Sequence, residues 1–393
     1  MPGSERSYGA YLAARDHEGL RRALTSIEAP DARTIRIGDE AYINFASNDY
    51  LGLRFHPALL TRAEAWTERY GVGSGASRLV TGNFDLFAGI ESKVAALKQK
   101  PAALIMASGF QANASVLQAL FDRSVLGAEP LVFSDRLNHA SIHFGCAASG
   151  TRELRYRHCD VTHLDALLHQ HRGDARPKFI VTESVFSMDG DVAPLAEIDR
   201  LAHEHDTMLI VDDAHATGIL GEGGRGLSVE ADVVVGTFSK ALGSFGAYVT
   251  CSATLREYLI NRCSGLIYST ALPPPALGAI DAALDLVPSL DGERAHVKDL
   301  AERFRLGAKE RGFDTGASMT QIVPIIAGGN SAALTLSKRL RGVGYFAMAI
   351  RPPTVPAETA RLRLAFTAAH TEADVDGLLS ALDAPALPRC ALG

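Results

Sequence analysis

Six short apolar runs constrain this chain more than any other feature: ALIM (103–106), LVFS (131–134), KFIVTE (178–183), TMLIVDD (207–213), DVVVGTFS (232–239) and AYVTC (247–251). Each is rich in aliphatic and β-branched residues and lacks the strict alternation of a strand with one wet face. A strand that is apolar on both sides has to be covered on both sides. Amphipathic stretches such as GIESKVAALKQ separate the runs, so the pattern predicts a mainly parallel central sheet flanked by helices, an α/β layer architecture.

With 393 residues the chain exceeds one typical domain. The proline cluster LPPPA (272–276) reads as a turn before a helix starting near Ala276. Beyond it, GERAHVKDLAERFRLGAKERG reads as a polar-faced helix and QIVPIIAGG as a strand with an edge-type proline. The expected organisation is a segment 1–50 packing on the C-terminal domain, a large α/β domain 51–285 and a smaller C-terminal α+β domain 286–393. The formal net charge of −6 gives no basic footprint, which argues against nucleic acid or an anionic membrane as partner. The five cysteines (Cys146, Cys159, Cys251, Cys263 and Cys390) form no CxxC pair, and the N-terminus has no apolar leader. Both features fit a protein of the reducing cytoplasm with no membrane span.

In an open parallel sheet, ligands sit beyond the carboxyl ends of the strands. The runs end on Ser108 and Gly109, on Asp135, Asn138 and His139, on Glu183, Ser184 and Ser187, on Asp212, Asp213 and His215, and on Lys240. An amine at the rim of an apolar sheet has its charged form disfavoured and becomes usable as a nucleophile. Pyridoxal phosphate asks a protein for an amine, for a carboxylate against its ring nitrogen, and for donors to its phosphate. Lys240 and Asp212 offer the first two. Thr237, Ser239 and the amides of SGFQAN, opening a helix at Gly109, offer the third, and His139 is placed to stack on the ring. Taken singly, each has a bland reading: a solvated lysine, a helix-capping aspartate. GVGSGASRLVTG (71–82) matches neither a dinucleotide nor a P-loop spacing. RHCDVTH (157–163) offers His158, Cys159 and His163, but no second cluster completes a tetrahedral zinc set, so no metal is expected.

The ordered series FASNDYLGL (45–53), GSGASR (73–78), SGFQAN, DRLNHAS (135–141), ESVFSMDGD (183–191), VDDAHATG (211–218), TFSKALGSFGA (237–247) and IRPPTVPAETARLRLAFTAAHT (350–371) resembles the α-oxoamine synthases over nearly the whole chain. Those are fold-type I pyridoxal phosphate transferases, normally homodimers. The resemblance implies that Lys240 carries the cofactor aldehyde, that Asp212 partners the pyridine nitrogen and His215 the phenolic oxygen, and that His139 stacks on the ring and reaches substrate. It further implies cofactor contacts from Gly109, Phe110, Ser187 and Thr237, with Thr270 reaching the phosphate of the neighbouring subunit. Arg363 matches the arginine that holds the amino acid carboxylate, and Thr354 and Arg21 match substrate positions. Departures from the usual pattern are Ala216, Ser239 and Asn138; none removes a reacting group.

The stretches LIYSTALPP (266–274) and AIRPPTVP resemble the branch of the family that condenses L-alanine with a pimeloyl thioester, of coenzyme A or an acyl carrier protein, in biotin synthesis. A distal carboxylate on that acyl chain calls for a guanidinium, and LRR (20–22) offers two, though an N-terminal helix that simply displays arginines to solvent fits equally. Open alternatives are the glycine, 5-aminolevulinate and serine palmitoyl branches of the same family, a fold-type I aminotransferase, and a non-catalytic regulator. The last would need a DNA-binding appendage that the sequence does not display.

Overall fold

A computed structural model describes residues 3–383, so Cys390 lies outside the described residues. The chain divides into two compact units. The smaller is built from the described residues up to Ser47, from Met188–Gly190 and from His296 onward; the larger comprises Asn48–Ser187 and Asp191–Ala295. Residues 286–295, assigned above to the C-terminal domain, fall in the larger unit. Within this segment the Arg294 guanidinium donates to the Val287 carbonyl at 2.6 Å, and both side chains pack against Gly224 of the larger unit.

The smaller unit opens with a helix, Gly3–His17, followed by an antiparallel pair, β1 (Thr34–Ile37) and β2 (Glu40–Asn44). The larger unit is organised by a seven-stranded sheet made of β3 (Ala102–Met106), β4 (Leu131–Asp135), β5 (Glu153–Tyr156), β6 (Lys178–Glu183), β7 (Met208–Asp212), β8 (Val233–Thr237) and β9 (Ala247–Cys251), in the order β3-β9-β8-β7-β6-β4-β5. All pairs are parallel except those of β9, which runs against both β8 and β3. The six strands read from the sequence are all present. The seventh, β5, is a half-buried edge strand with sequence ELRY, whose polar content hides it from a search for apolar runs.

Both faces of this sheet are packed. Val132, Val181, Ile210, Val233 and Val235 join one core cluster with residues of the helices Gly109–Leu120 and Ala253–Arg262. Phe133, Ile180, Leu209, Val211 and Val234 join another with residues of Val161–Gln170 and Leu195–Glu204. Adjacent residues of one strand thus feed opposite cores, and each buried aliphatic contributes roughly 1.5–3 kcal/mol. The prolines of LPPPA do not all precede the next helix, which spans Pro274–Leu286: Pro274 occupies its first turn, where a missing N–H breaks no bond.

The smaller unit continues with β10 (Ile322–Gly328), β11 (Tyr345–Phe346), β12 (Met348–Ile350) and β13 (Ala360–Ala365). β11 pairs in parallel with β2, and β10-β13-β12 form a second three-stranded sheet. Pro324 lies on β10, an edge of that sheet, as its missing donor requires. Phe45, Val297, Phe304, Val323, Leu362, Leu364, Phe366 and Leu378 form this unit's core.

Candidate functional site

The strand order of the larger unit places the ends of β8, β7, β6 and β4 side by side. Glu183, last in β6, is directly opposite Asp212, last in β7, and Asp212 is opposite Val235, so Thr237 and the residues after it continue past the carboxylate. Lys240 sits three residues beyond β8 and is half-buried.

Asp212 is held from two sides. Its Oδ1 accepts from the Ala214 amide at 2.9 Å and its Oδ2 from Asn113 Nδ2 at 2.6 Å. The same Asn113 amide donates to Ser141 Oγ at 3.0 Å, and Ser141 Oγ lies 2.6 Å from His139 Nδ1. Asn113 and Ser141 therefore link the two groups that the sequence singled out at different strand ends. The Ser141 amide also donates to His139 Nδ1 at 3.3 Å, so the neutral ring carries its proton on Nε2. His139 is exposed as a residue, yet the protein packed against its ring disfavours the charged form and lowers its pKa below the usual imidazole value. Asp212 opposes this shift, while the charges of Lys240 and His143 add to it.

Glu183 is buried beside Asp212. Burial, then the Asp212 charge, pushes its carboxyl well above the ordinary range, and only the Lys240 charge and a backbone hydrogen bond pull it back. Two groups, His139 and Glu183, thus respond to both Asp212 and Lys240. On the other side, His215 Nδ1 lies 2.7 Å from the hydroxyl of the buried Tyr50, which also contacts Asn48 Oδ1 at 3.2 Å. Behind Asp212, the next residue turns the other way: Asp213 pairs with Lys98, which is 2% exposed. Gly226, at φ +86°, is needed against that pair, since a Cβ there would come within 1.7 Å of Asp213 Oδ2.

A helix start and a hydroxyl pair meet at the neighbouring end of the row. Ser108 caps the helix Gly109–Leu120, its Oγ accepting from the Gln111 amide at 3.3 Å. The amides of Gly109 and Phe110 fall in the first turn, beyond the reach of any intrahelical carbonyl. A Cβ on Gly109 would lie 3.8 Å from Thr237 Cβ, so the helix tip abuts the end of β8. There Thr237 Oγ1 meets Ser239 Oγ at 2.7 Å and donates to the Gly246 carbonyl at 2.8 Å. Ser187 is buried past the end of β6. Thr270 lines a cleft with Arg78, Phe87, Met106 and Ala107, its segment bridged to Ser77.

These residues fit pyridoxal phosphate by the chemistry of their donors and acceptors. A carboxylate with both oxygens fixed, an amine just past the neighbouring strand end, and amides with hydroxyls at a helix start are what that cofactor requires. The Ser184 Oγ, buried next to the Asp212 strand end with no hydrogen-bond partner, marks unused polar capacity in the same place.

Arg21, Thr354 and Arg363 belong to the smaller unit. Arg21 is exposed and pairs with Asp16 at 2.6 Å, whereas its neighbour Arg22 donates to Thr354 Oγ1 at 2.9 Å. Arg363 is buried on β13, between Pro324 and Met348 in register. Sequence reasoning missed Asn113, Ser141 and Tyr50, although each lies inside a stretch it quoted. The available signal was a polar residue on the apolar face of a helix, or a tyrosine beside a capping aspartate.

Known proteins resemble this chain over nearly its whole length. The model of the family "aminotransferase class I and II" matches residues 40–382. The chain is 54% identical to the 8-amino-7-oxononanoate synthase of Gluconacetobacter diazotrophicus over 94% of each chain. Among solved structures, the serine palmitoyltransferase of Sphingomonas wittichii superimposes with a TM-score of 0.88 at 26% identity, covering 97% of this chain and 96% of that one. The 8-amino-7-oxononanoate synthase of Francisella tularensis superimposes with a TM-score of 0.73 at 27% identity, covering 87% and 96%.

Proposed function

The chain belongs to the class I and II aminotransferase family and within it to the α-oxoamine synthases, and from that membership we propose that it condenses L-alanine with a pimeloyl thioester to give 8-amino-7-oxononanoate and carbon dioxide, a step of biotin synthesis. The observation that carries the site assignment is the row of strand ends that sets Glu183 beside Asp212 and leads β8 past it to Lys240, with Asp212 joined through Asn113 and Ser141 to His139.

When bound, pyridoxal phosphate supplies an aldehyde for an amine and a ring that takes up the electron pair released at the alanine Cα. Lys240 Nζ would hold that aldehyde, and as a free amine it would accept the alanine Cα proton and return one. Asp212, fixed by Asn113 and the Ala214 amide, would set its carboxylate against the ring nitrogen. His139 carries its proton on Nε2 and is neutral at pH 7, so it can donate to an oxygen that gains charge as thiolate leaves. The first-turn amides of Gly109 and Phe110, with Thr237 and Ser239, would hold the phosphate. Ser187 would supply a further cofactor contact, and His215, oriented by Tyr50, would fix the phenolic oxygen. Arg363, Thr354 and Arg21 are assigned to substrate, Arg363 to the amino acid carboxylate, since a guanidinium stays charged where a carboxylate needs pairing.

The protein is further read as a cytoplasmic homodimer in which Thr270 serves the neighbouring subunit's phosphate. Support comes from the exposed Val72, Val80, Phe144 and Tyr268 of the larger unit and from the unpaired Cys146, Cys159, Cys251 and Cys263. Among the described residues no helix is long and apolar enough to cross a membrane.

Replacing Lys240 with alanine tests the core of this reading. Turnover and the borohydride-reducible visible band are both expected to vanish; a variant that still releases thiol from pimeloyl-coenzyme A and alanine would overturn it. Thiol release by the wild type from glycine and acetyl-coenzyme A, but not from alanine and pimeloyl-coenzyme A, would move the protein to another branch of the family. A keto acid product with no thiol would move it to the aminotransferases.

A further inference from the structure

His158 lies outside the set of residues assigned to cofactor or substrate, yet it joins two of the turns that carry them. Its Nδ1 is 3.0 Å from Asp135 Oδ1 and its Nε2 is 2.7 Å from Asp191 Oδ2. Asp135 ends β4, four residues before His139, and shapes the intervening turn: Oδ1 also accepts from the Leu137 amide at 2.9 Å and Oδ2 from the Cys159 amide at 2.8 Å. Asp191 closes the other turn. Its carbonyl accepts from the Phe186 amide at 3.1 Å, and a bridge between Val185 and Val192, with a bond from the Ala193 amide to the Ser184 carbonyl, folds the segment back on the end of β6.

We propose that His158 is a positioning residue of the site: its two ring N–H groups tie Asp135 to Asp191 and so hold the turn that delivers His139 against the turn that delivers Ser184 and Ser187. Carboxylates accept and do not donate, so satisfying both requires a proton on each ring nitrogen, and the ring is an imidazolium. Burial opposes that charge, but the hydrogen bonds to Asp135, Asp191 and the Cys159 thiol prevail and hold the pKa at about 12. The Phe186 ring meets the imidazole edge-on at 4.3 Å and fixes its plane. Asp191 depends on this contact: its Oδ1 is buried without a hydrogen-bond partner, and apart from His158 its Oδ2 has only the Cys159 thiol at 3.9 Å. Two carboxylates close enough to share one imidazole would repel each other without the cation, and the two turns would part.

The inference rests on the site reading given above. Its test uses His158→Gln, which can donate on one side at most, and Asp191→Asn, which removes one anchor and keeps the histidine. In the wild-type apoprotein, ¹⁵N-histidine NMR should find His158 doubly protonated beyond pH 9. In either variant the His139 titration should move up toward its ordinary 6.5 as the turn loosens and admits water. Affinity of the apoprotein for pyridoxal phosphate should weaken about tenfold, and kcat should fall about tenfold with the KM for the amino acid within about twofold, the scale of one lost charge-assisted hydrogen bond. A wild-type His158 that titrates near 6.5 would overturn the proposal. So would variants that fold normally and leave both the His139 titration and the cofactor affinity unchanged. If His158→Gln does not fold, Asp191→Asn decides alone. The NMR and cofactor readouts need no substrate, so a wrong choice of amino acid or thioester would leave them unmoved and show only in the substrate panel.

Discussion

His158 in the larger unit and His370 in the smaller are both enclosed by protein, but the first carries a second proton and the second is kept neutral. The difference lies in what faces each ring nitrogen. At His158 both neighbours are carboxylates. At His370 the Thr367 amide donates to Nδ1 at 3.1 Å, and Nε2 is 3.2 Å from the Asn44 carbonyl, so one nitrogen must stay bare. Phe45 stacks on the ring at 4.2 Å, and burial pushes the pKa down to about 4. Depth therefore does not decide ionisation; the partner's ability to donate or accept does. The contrast extends to the units. Asp135, Glu183, Asp212 and Asp213 crowd the strand ends of the seven-stranded sheet, each answered by a cation or an amide, whereas among the described residues the smaller unit buries a single carboxylate, Asp374, paired with Arg33.

The largest test of that contrast removes a charge at the sheet edge. Asp212→Asn keeps the shape but, with one oxygen left, accepts from only one of Asn113 and the Ala214 amide, and it loses the charge assigned to the ring nitrogen. Steady-state thiol release should fall by roughly 10²–10⁴-fold with the fold intact by circular dichroism. A loss under tenfold would mean that this carboxylate is structural, like those of the other unit.

A smaller effect is expected at His370, and here the sign is set by linkage. Its folded pKa of about 4 lies below the unfolded 6.5, so its neutral form adds stability above pH 6.5 that is lost as pH falls through about 4. That loss is on the order of 3 kcal/mol. Melting of the wild type should therefore drop more steeply between pH 6.5 and pH 4.5 than melting of His370→Gln. Parallel curves would erase the distinction between the two histidines.

The smallest expected effect sharpens the comparison within the site itself. Asn113→Ala should cost about tenfold in kcat, because it leaves Asp212 Oδ2 and Ser141 each short of one buried hydrogen bond. Asn113→Asp, which puts a second carboxylate against Asp212, should cost more than the alanine; the reverse order would show that the amide is not there to hold charge.

The layered sheet and the residues at its strand ends were legible because a doubly buried strand has to be apolar and a strand-end residue has to be polar, as in β7 with Asp212 and β8 with Lys240. β5 was not legible, since its edge position lets it be polar. The direction of β9 was not either: AYVTC, buried throughout, reads the same in both orientations. Within the site, Lys240, Asp212 and His139 announce themselves as reactive types. Asn113 and Ser141 do not, because a neutral amide and a hydroxyl become informative only when folding sets them between two such groups. The resemblance supplied Arg363 and Thr354 by motif position, where periodicity alone would have left them as part of a strand and a turn.

β3 has one neighbour in its sheet, β9, and the pairing joins Ala102 to Cys251. During synthesis, the first strand of the larger unit to leave the ribosome waits for the last one. Nascent chains that stop short of residue 251 expose an apolar ribbon with no mate, and such fragments will cling to chaperones or to each other.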